Sequence, residues 1–110
     1  MKSIFPKIIK SLPKADINID GANLYLVNGE NEQVVFMEFK KNVNIPKHSH
    51  ESQFEVVING MVEYFADGIK HIYKKGDCFF VPKGKKHSAK IHAGYSSIAF
   101  FNQKDRYKKR

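Results

Sequence analysis

Three histidines in this chain have the spacing of metal ligands. His48 and His50 stand two residues apart in Pro46-Lys47-His48-Ser49-His50, and His87 ends the run Gly76-Asp77-Cys78-Phe79-Phe80-Val81-Pro82-Lys83-Gly84-Lys85-Lys86-His87. Neutral imidazole is the commonest nitrogen ligand of transition metals. An oxygen from the amide of Gln53 or the carboxylate of Glu55 would add a fourth donor. Such a set leaves coordination positions open, where a bound ion can polarise a substrate oxygen or engage dioxygen. Whichever of Gln53 and Glu55 is not a ligand stays close to the reaction, and a buried Glu55 is the natural proton carrier.

These side chains can meet only if the backbone aims them at one space. Residues two apart on a strand project from the same face, so His48 and His50 on one strand would share an ion. Counting back in steps of two from Asn59-Gly60, the strongest short hairpin signal in the chain, puts Gln53, Glu55 and Val57 on one face. Phe54, Val56 and Ile58 share the other, which reads as a packing surface. His50 and Gln53 lie an odd number of residues apart, so both face inward only if Glu51-Ser52 forms a bulge or break. The Pro82-Lys83-Gly84 turn aims His87, with Pro82 fixing the approach and Gly84 allowing a backbone conformation closed to other residues.

Around this segment the chain reads as strands and turns. Residues 2–12 have Ile4, Ile8 and Ile9 near helical spacing, but Pro6 sits inside and Pro13 stops the run, so a short helix or irregular arm is expected. From Ile17 onward, apolar or alternating runs are separated by Asn28-Gly29, Asn59-Gly60, Asp67-Gly68 and Lys75-Gly76-Asp77. The strand from Met61 to Phe65 is expected to fold back antiparallel on Gln53–Ile58. About nine short strands at such intervals indicate an all-β sandwich or barrel. No repeat or linker interrupts them, and 110 residues suit one domain.

The formal net charge is +8, from 19 Lys+Arg against 11 Asp+Glu. The lysines are scattered, and no zinc-finger spacing, recognition-helix pattern or ribonucleoprotein aromatic motif accompanies them, so nucleic acid is not the expected partner. Lys83, Lys85 and Lys86 beside the histidines could instead attract an anionic small molecule. Cys78 is the single cysteine, which excludes an intrachain disulfide, and its apolar run marks it as a small buried hydrophobe. With no membrane-length apolar run, the expected location is the cytoplasm. His71 and His92 lack partners at ligand spacing.

The two histidine-bearing segments together resemble the cupin superfamily. Gly76, Pro82, Gly84 and His87 match its second motif without a gap, and His48, His50 and Gly60 match the first. The position six residues before Gly60, where the family has Glu, is filled here by Gln53. The resemblance covers about residues 34–101, with residues 1–33 as an N-terminal arm and flanking strands and 102–110 as a basic tail. It implies a double-stranded β-helix barrel of jelly-roll type, a homodimer, and one divalent ion drawn from Fe, Mn, Ni, Cu or Zn. In that register His48, His50, Gln53 and His87 are the metal ligands, which leaves Glu55 free for the catalytic role that its buried carboxylate suggests. The function implied is a metal-dependent dioxygenase, isomerase or lyase acting on a small molecule, for which the neighbouring lysines suit an anion. The alternative is a non-catalytic binding or sensing barrel that acts through a partner.

Overall fold

The structure, a computed structural model, describes residues 2–110. One short helix, α1 (Lys7–Lys10), precedes nine strands: β1 (Ala22–Asn28), β2 (Gln33–Phe39), β3 (Val43–His48), β4 (Gln53–Asn59), β5 (Met61–Ala66), β6 (Ile69–Lys74), β7 (Cys78–Val81), β8 (His87–Ile91) and β9 (Ser96–Phe101). They form two antiparallel sheets, one ordered β1-β2-β9-β4-β7 and the other β3-β8-β5-β6. Inward residues of both sheets pack into one core that includes Leu26, Val35, Val57, Val62, Ala99 and Phe101. This is the all-β barrel that the strand spacing and the motifs imply. Among the described residues no helix is long and apolar enough to cross a membrane.

Turn chemistry explains both a success and a failure of the sequence reading. Asp67 and Gly68, at φ 53° and 73°, join β5 to β6 in the tight hairpin expected of Asp-Gly. Asn59-Gly60 does not do the same for β4 and β5, which lie in different sheets. Both edges of β4 are already taken, by β7 and β9, so β5 has no place to pair. Gly60, at φ 74°, is docked so closely on the β8–β9 connection that a Cβ there would sit 2.9 Å from the Gly94 carbonyl and the Tyr95 backbone. The turn is thus a corner between sheets, pinned by the Asn59 amide donating to the Gly94 carbonyl at 3.3 Å.

The parity read from β4 holds. Gln53, Glu55 and Val57 are buried, while Phe54 and Val56 face outward. That outward face is apolar but open: Phe54 is 43% exposed, Phe80 on β7 60% and Phe100 on β9 42%. The three phenylalanines stand side by side across the sheet, since Phe54 pairs with both Phe80 and Phe100. Cys78, expected to be buried, faces the same way and is exposed, because β7 packs inward through Phe79 and Val81. Further along this face Phe5 of the N-terminal arm covers Tyr25 and Phe36, with ring centroids 6.2 and 5.8 Å away.

The C-terminal segment folds back onto the barrel. Gln33 at the start of β2, 0% exposed, accepts from the Tyr107 amide through Oε1 at 3.0 Å and donates from Nε2 to the Tyr107 carbonyl at 2.9 Å. Beyond it the Arg110 amide donates to the Lys14 carbonyl at 2.8 Å, and Ala15 bridges to Lys109. Residues 106 and 107 are held against the barrel mouth by this strap.

Candidate metal centre

His48 is the last residue of β3 and lies opposite His87, the first of β8. A register shift between Ile45 and His48 brings the pair into line. His50, expected on the same strand as His48, lies instead in the connection between β3 and β4. That connection is the break at Glu51-Ser52 that the odd spacing demands, and it lets His50 and Gln53 both turn inward. The turn after β7 is tied to it: the Gly84 amide, at φ 75°, donates to the His50 carbonyl at 3.0 Å, and the Lys85 amide donates to the Pro82 carbonyl at 3.1 Å. The two histidine motifs are therefore one piece of structure.

The three imidazoles converge. Their ring centroids are separated by 5.2 Å for His48 and His50, 4.3 Å for His48 and His87, and 4.9 Å for His50 and His87. One ligand nitrogen from each lies within 4.8 Å of the others. Each Nδ1 faces a backbone carbonyl: His48 that of Pro46 at 2.8 Å, His50 that of Glu51 at 2.6 Å, His87 that of Lys85 at 2.8 Å. A carbonyl only accepts, so each Nδ1 carries the proton and each Nε2 keeps its lone pair. This is the tautomer in which a second partner orients a metal-binding histidine. Burial holds His50 down to about 4, and burial likewise holds His87 below its ordinary value. Both rings are neutral at pH 7, as ligands must be. The donor set thus fits a divalent transition ion.

Gln53 and Glu55 do not occupy equivalent places. Gln53 Nε2 donates to Glu55 Oε1 at 2.6 Å, and the Tyr95 hydroxyl donates to Glu55 Oε2. Both carboxylate oxygens are engaged, and Glu55 lies outside the group of three histidines. The bond to Glu55 fixes the Gln53 amide with its nitrogen away from its free oxygen. Burial pushes the Glu55 carboxyl above the usual carboxylate range, against the pull of the Tyr95 and Gln53 donors. Tyr95 is 1% exposed, and burial beside Glu55 raises its hydroxyl pKa, so it stays protonated.

These groups line one cavity of about 90 Å³ inside the barrel. Its apolar wall comes from Met37, Phe39, Tyr64 and Phe79. Tyr64 stacks on His87 at 5.4 Å, and Phe101 meets His50 edge-on at 5.4 Å. Arg106 and Tyr107 also line the cavity, brought there by the C-terminal strap. Sequence reasoning took them for part of a solvated basic tail, and the chain offers no signal of their placement except the aromatic Tyr107 among the charges. Lys83, Lys85 and Lys86 lie along a separate outer groove with Pro82 and Ser88. Lys85 is paired there with Asp67 at 2.6 Å. His92 Nε2 donates to the Glu63 carboxylate at 2.7 Å on the surface, and exposed His71 stacks on Tyr73.

Solved structures of the same shape are numerous. An RmlC-like cupin from Shewanella frigidimarina NCIMB 400 is 26% identical, superposes with a TM-score of 0.74, and is covered over 87% of its length by 88% of this chain. KdgF from Halomonas sp. is 22% identical with a TM-score of 0.74, covering 94% of this chain and 96% of its own. An oxalate decarboxylase of Bacillus subtilis with Mn(II) centres is 21% identical with a TM-score of 0.71 over 88% of this chain, which spans 29% of that longer protein. No curated protein sequence matches the chain. The sequence profile described as "Cupin domain" matches residues 35–96.

Proposed function

Starting from a chain that belongs to the cupin domain family, we propose that it is a metal-dependent enzyme that acts on a small molecule inside its barrel, with His48, His50, Gln53 and His87 as ligands. The observation that carries this reading is the set of three imidazoles whose Nδ1 atoms are all committed to carbonyls, leaving three Nε2 lone pairs converging on one point. Its solved neighbours support the choice of a divalent ion, one of them being a protein with Mn(II) centres.

A bound ion would supply Lewis-acid polarisation of a substrate oxygen or, if redox-active, dioxygen chemistry, which covers the isomerase, lyase and dioxygenase classes. The chain's own residues do the rest. The histidines hold their rings fixed through the backbone, and Gln53 presents its amide oxygen because its nitrogen is bound to Glu55. Glu55 holds a proton at the cavity floor, where burial favours the neutral acid. Tyr95 keeps that carboxyl in place through their hydrogen bond. The apolar walls lower the polarity around these groups, which strengthens each of these interactions.

Elemental analysis of protein purified without added metal tests this assignment. Near one equivalent of metal is expected in the wild type and in Glu55→Gln. Gln53→Ala should bind about 10- to 100-fold more weakly, the range seen when a residue that orients or completes a metal site is lost. Loss of metal in Glu55→Gln with retention in Gln53→Ala would reverse the two roles.

The open apolar face supports a homodimer as part of this proposal. Phe54, Phe80 and Phe100 form a contiguous row on the outer surface of a sheet, and a second copy meeting it across a two-fold axis would bury both rows. Light scattering should report a dimer at micromolar concentration for the wild type and a monomer for Phe54→Lys/Phe100→Asp. A wild type that is monomeric would refute it.

A further inference from the structure

Arg106 is the one residue of the cavity wall whose charge is left without an answer. Its Nε is shielded from solvent and has no hydrogen-bond partner, and no ion pair to the guanidinium exists among the described residues. The side chain is not loose. Its guanidinium carbon lies 4.5 Å from the Tyr107 ring and 5.7 Å from the Phe101 ring, so two aromatic faces set its plane. Tyr107 is in turn clamped on both sides of its backbone by buried Gln33. Phe101 is also the ring that His50 meets edge-on, so the cation and the histidine cluster flank the same side chain.

A half-buried cation is unfavourable unless it is paired, and here it stands beside imidazoles that would already carry a divalent ion. Glu55, the one carboxylate on the cavity wall, hydrogen-bonds Gln53 and Tyr95 and makes no ion pair with the guanidinium, so Arg106 has no anionic partner among the described residues. The missing partner is an anion, and the guanidinium fork matches a carboxylate in two parallel bonds. The cavity is compact, about 90 Å³. A compact carboxylate suits that volume.

We infer that the ligand of this cavity is a small carboxylate, anchored by Arg106 at one end and presenting an oxygen to the histidine cluster at the other. The inference rests on the metal reading of the same cavity and adds to it the substrate class and the residue that selects it. Arg106 acts by binding, and the chemistry stays with the groups around the histidines.

Calorimetric titration with malonate, with its uncharged counterpart malonamide, and with inorganic phosphate tests it, on zinc-loaded and metal-free protein, with metal content measured on the same samples. Malonate should bind the zinc-loaded wild type at least 10-fold more tightly than malonamide or phosphate does. Arg106→Gln should lose at least 10-fold in malonate affinity while keeping its zinc. Arg106→Lys, which retains the charge but not the fork, should fall between them and guards against a folding defect. Malonate binding that is the same in Arg106→Gln as in the wild type, or malonamide binding as tightly as malonate, overturns the inference. Phosphate binding more tightly than malonate overturns the choice of carboxylate. If the protein takes up no zinc but malonate still binds through Arg106, the metal reading fails and the anion site stands. If zinc binds and malonate ignores Arg106, the reverse holds.

Discussion

Chelation should lower the thermal midpoint of the metal-loaded wild type by about 10–20 °C and leave that of His87→Ala unmoved. A ligand present at about 100 times its dissociation constant stabilises the native state by about 2.7 kcal/mol. For a domain of this size each kcal/mol moves the midpoint by about 4–8 °C. The three histidines come from β3, from the β3–β4 connection and from β8, so an ion bound by all of them ties together segments far apart in the chain. His87 is the variant to choose because it is the buried member and the β8 partner of His48. Removing it leaves two imidazoles, too few for a tight site. Its own packing against Tyr64 will cost the metal-free fold something, which is why the chelator-dependent shift is the quantity to compare and not the absolute midpoint. A wild type whose midpoint does not respond to chelator would argue that metal contributes nothing to folding.

The second large effect is expected far from any candidate ligand. Gln33→Leu keeps the volume of a residue that is fully enclosed but deletes three hydrogen bonds: to Asn28 Oδ1 at 2.7 Å, to the Tyr107 carbonyl at 2.9 Å and from the Tyr107 amide at 3.0 Å. The Tyr107 backbone would then be stranded without partners, at about 1–3 kcal/mol for each unsatisfied group. A loss of about 2–5 kcal/mol in urea unfolding is expected. The alternative open to the variant is to release the strap into water, which rescues the hydrogen bonds at the expense of the packing of Tyr107 on Phe101. Limited trypsin digestion reads that directly, because release of the strap would free the backbone around Arg106, Lys108 and Lys109 for cleavage, whereas in the wild type it is pinned to Gln33, Lys14 and Ala15. A variant within about 0.5 kcal/mol of the wild type, with its C-terminus still protected, would show that Gln33 does not hold the strap.

The sequence exposed what depends on local spacing and hid what depends on distant contact. His48, His50 and His87 were legible because strand parity and a Pro-x-Gly turn are local devices. The inward set Gln53, Glu55 and Val57 was legible for the same reason. The Asn59-Gly60 hairpin was misread because a turn signal specifies a reversal of the chain and not the partner of the strand that follows, and β4 had both edges filled by strands from later in the chain. Cys78 was misread because an apolar run on an edge strand buries only alternate residues, and Cys78 falls on the wrong alternate. Arg106 was invisible. Its position depends on Gln33, separated from Tyr107 by 74 residues, and nothing in a run of lysines and arginines marks which one turns inward.

β4 carries its hydrophobic pattern reversed with respect to its own interest. Gln53 and Glu55 face the interior of the barrel while Phe54 and Val56 face away from it. Sliding the strand by one residue would exchange the two sets and bury more apolar surface, so local preference and native arrangement are in conflict along this segment. What prevents the slip lies at its two ends, in the break before Gln53 and the corner at Gly60. The polar interior is therefore a frustrated element of the folding landscape, kept in place by its neighbours and not by its own residues, which is the pattern expected where chemistry has overruled the easiest way to fold.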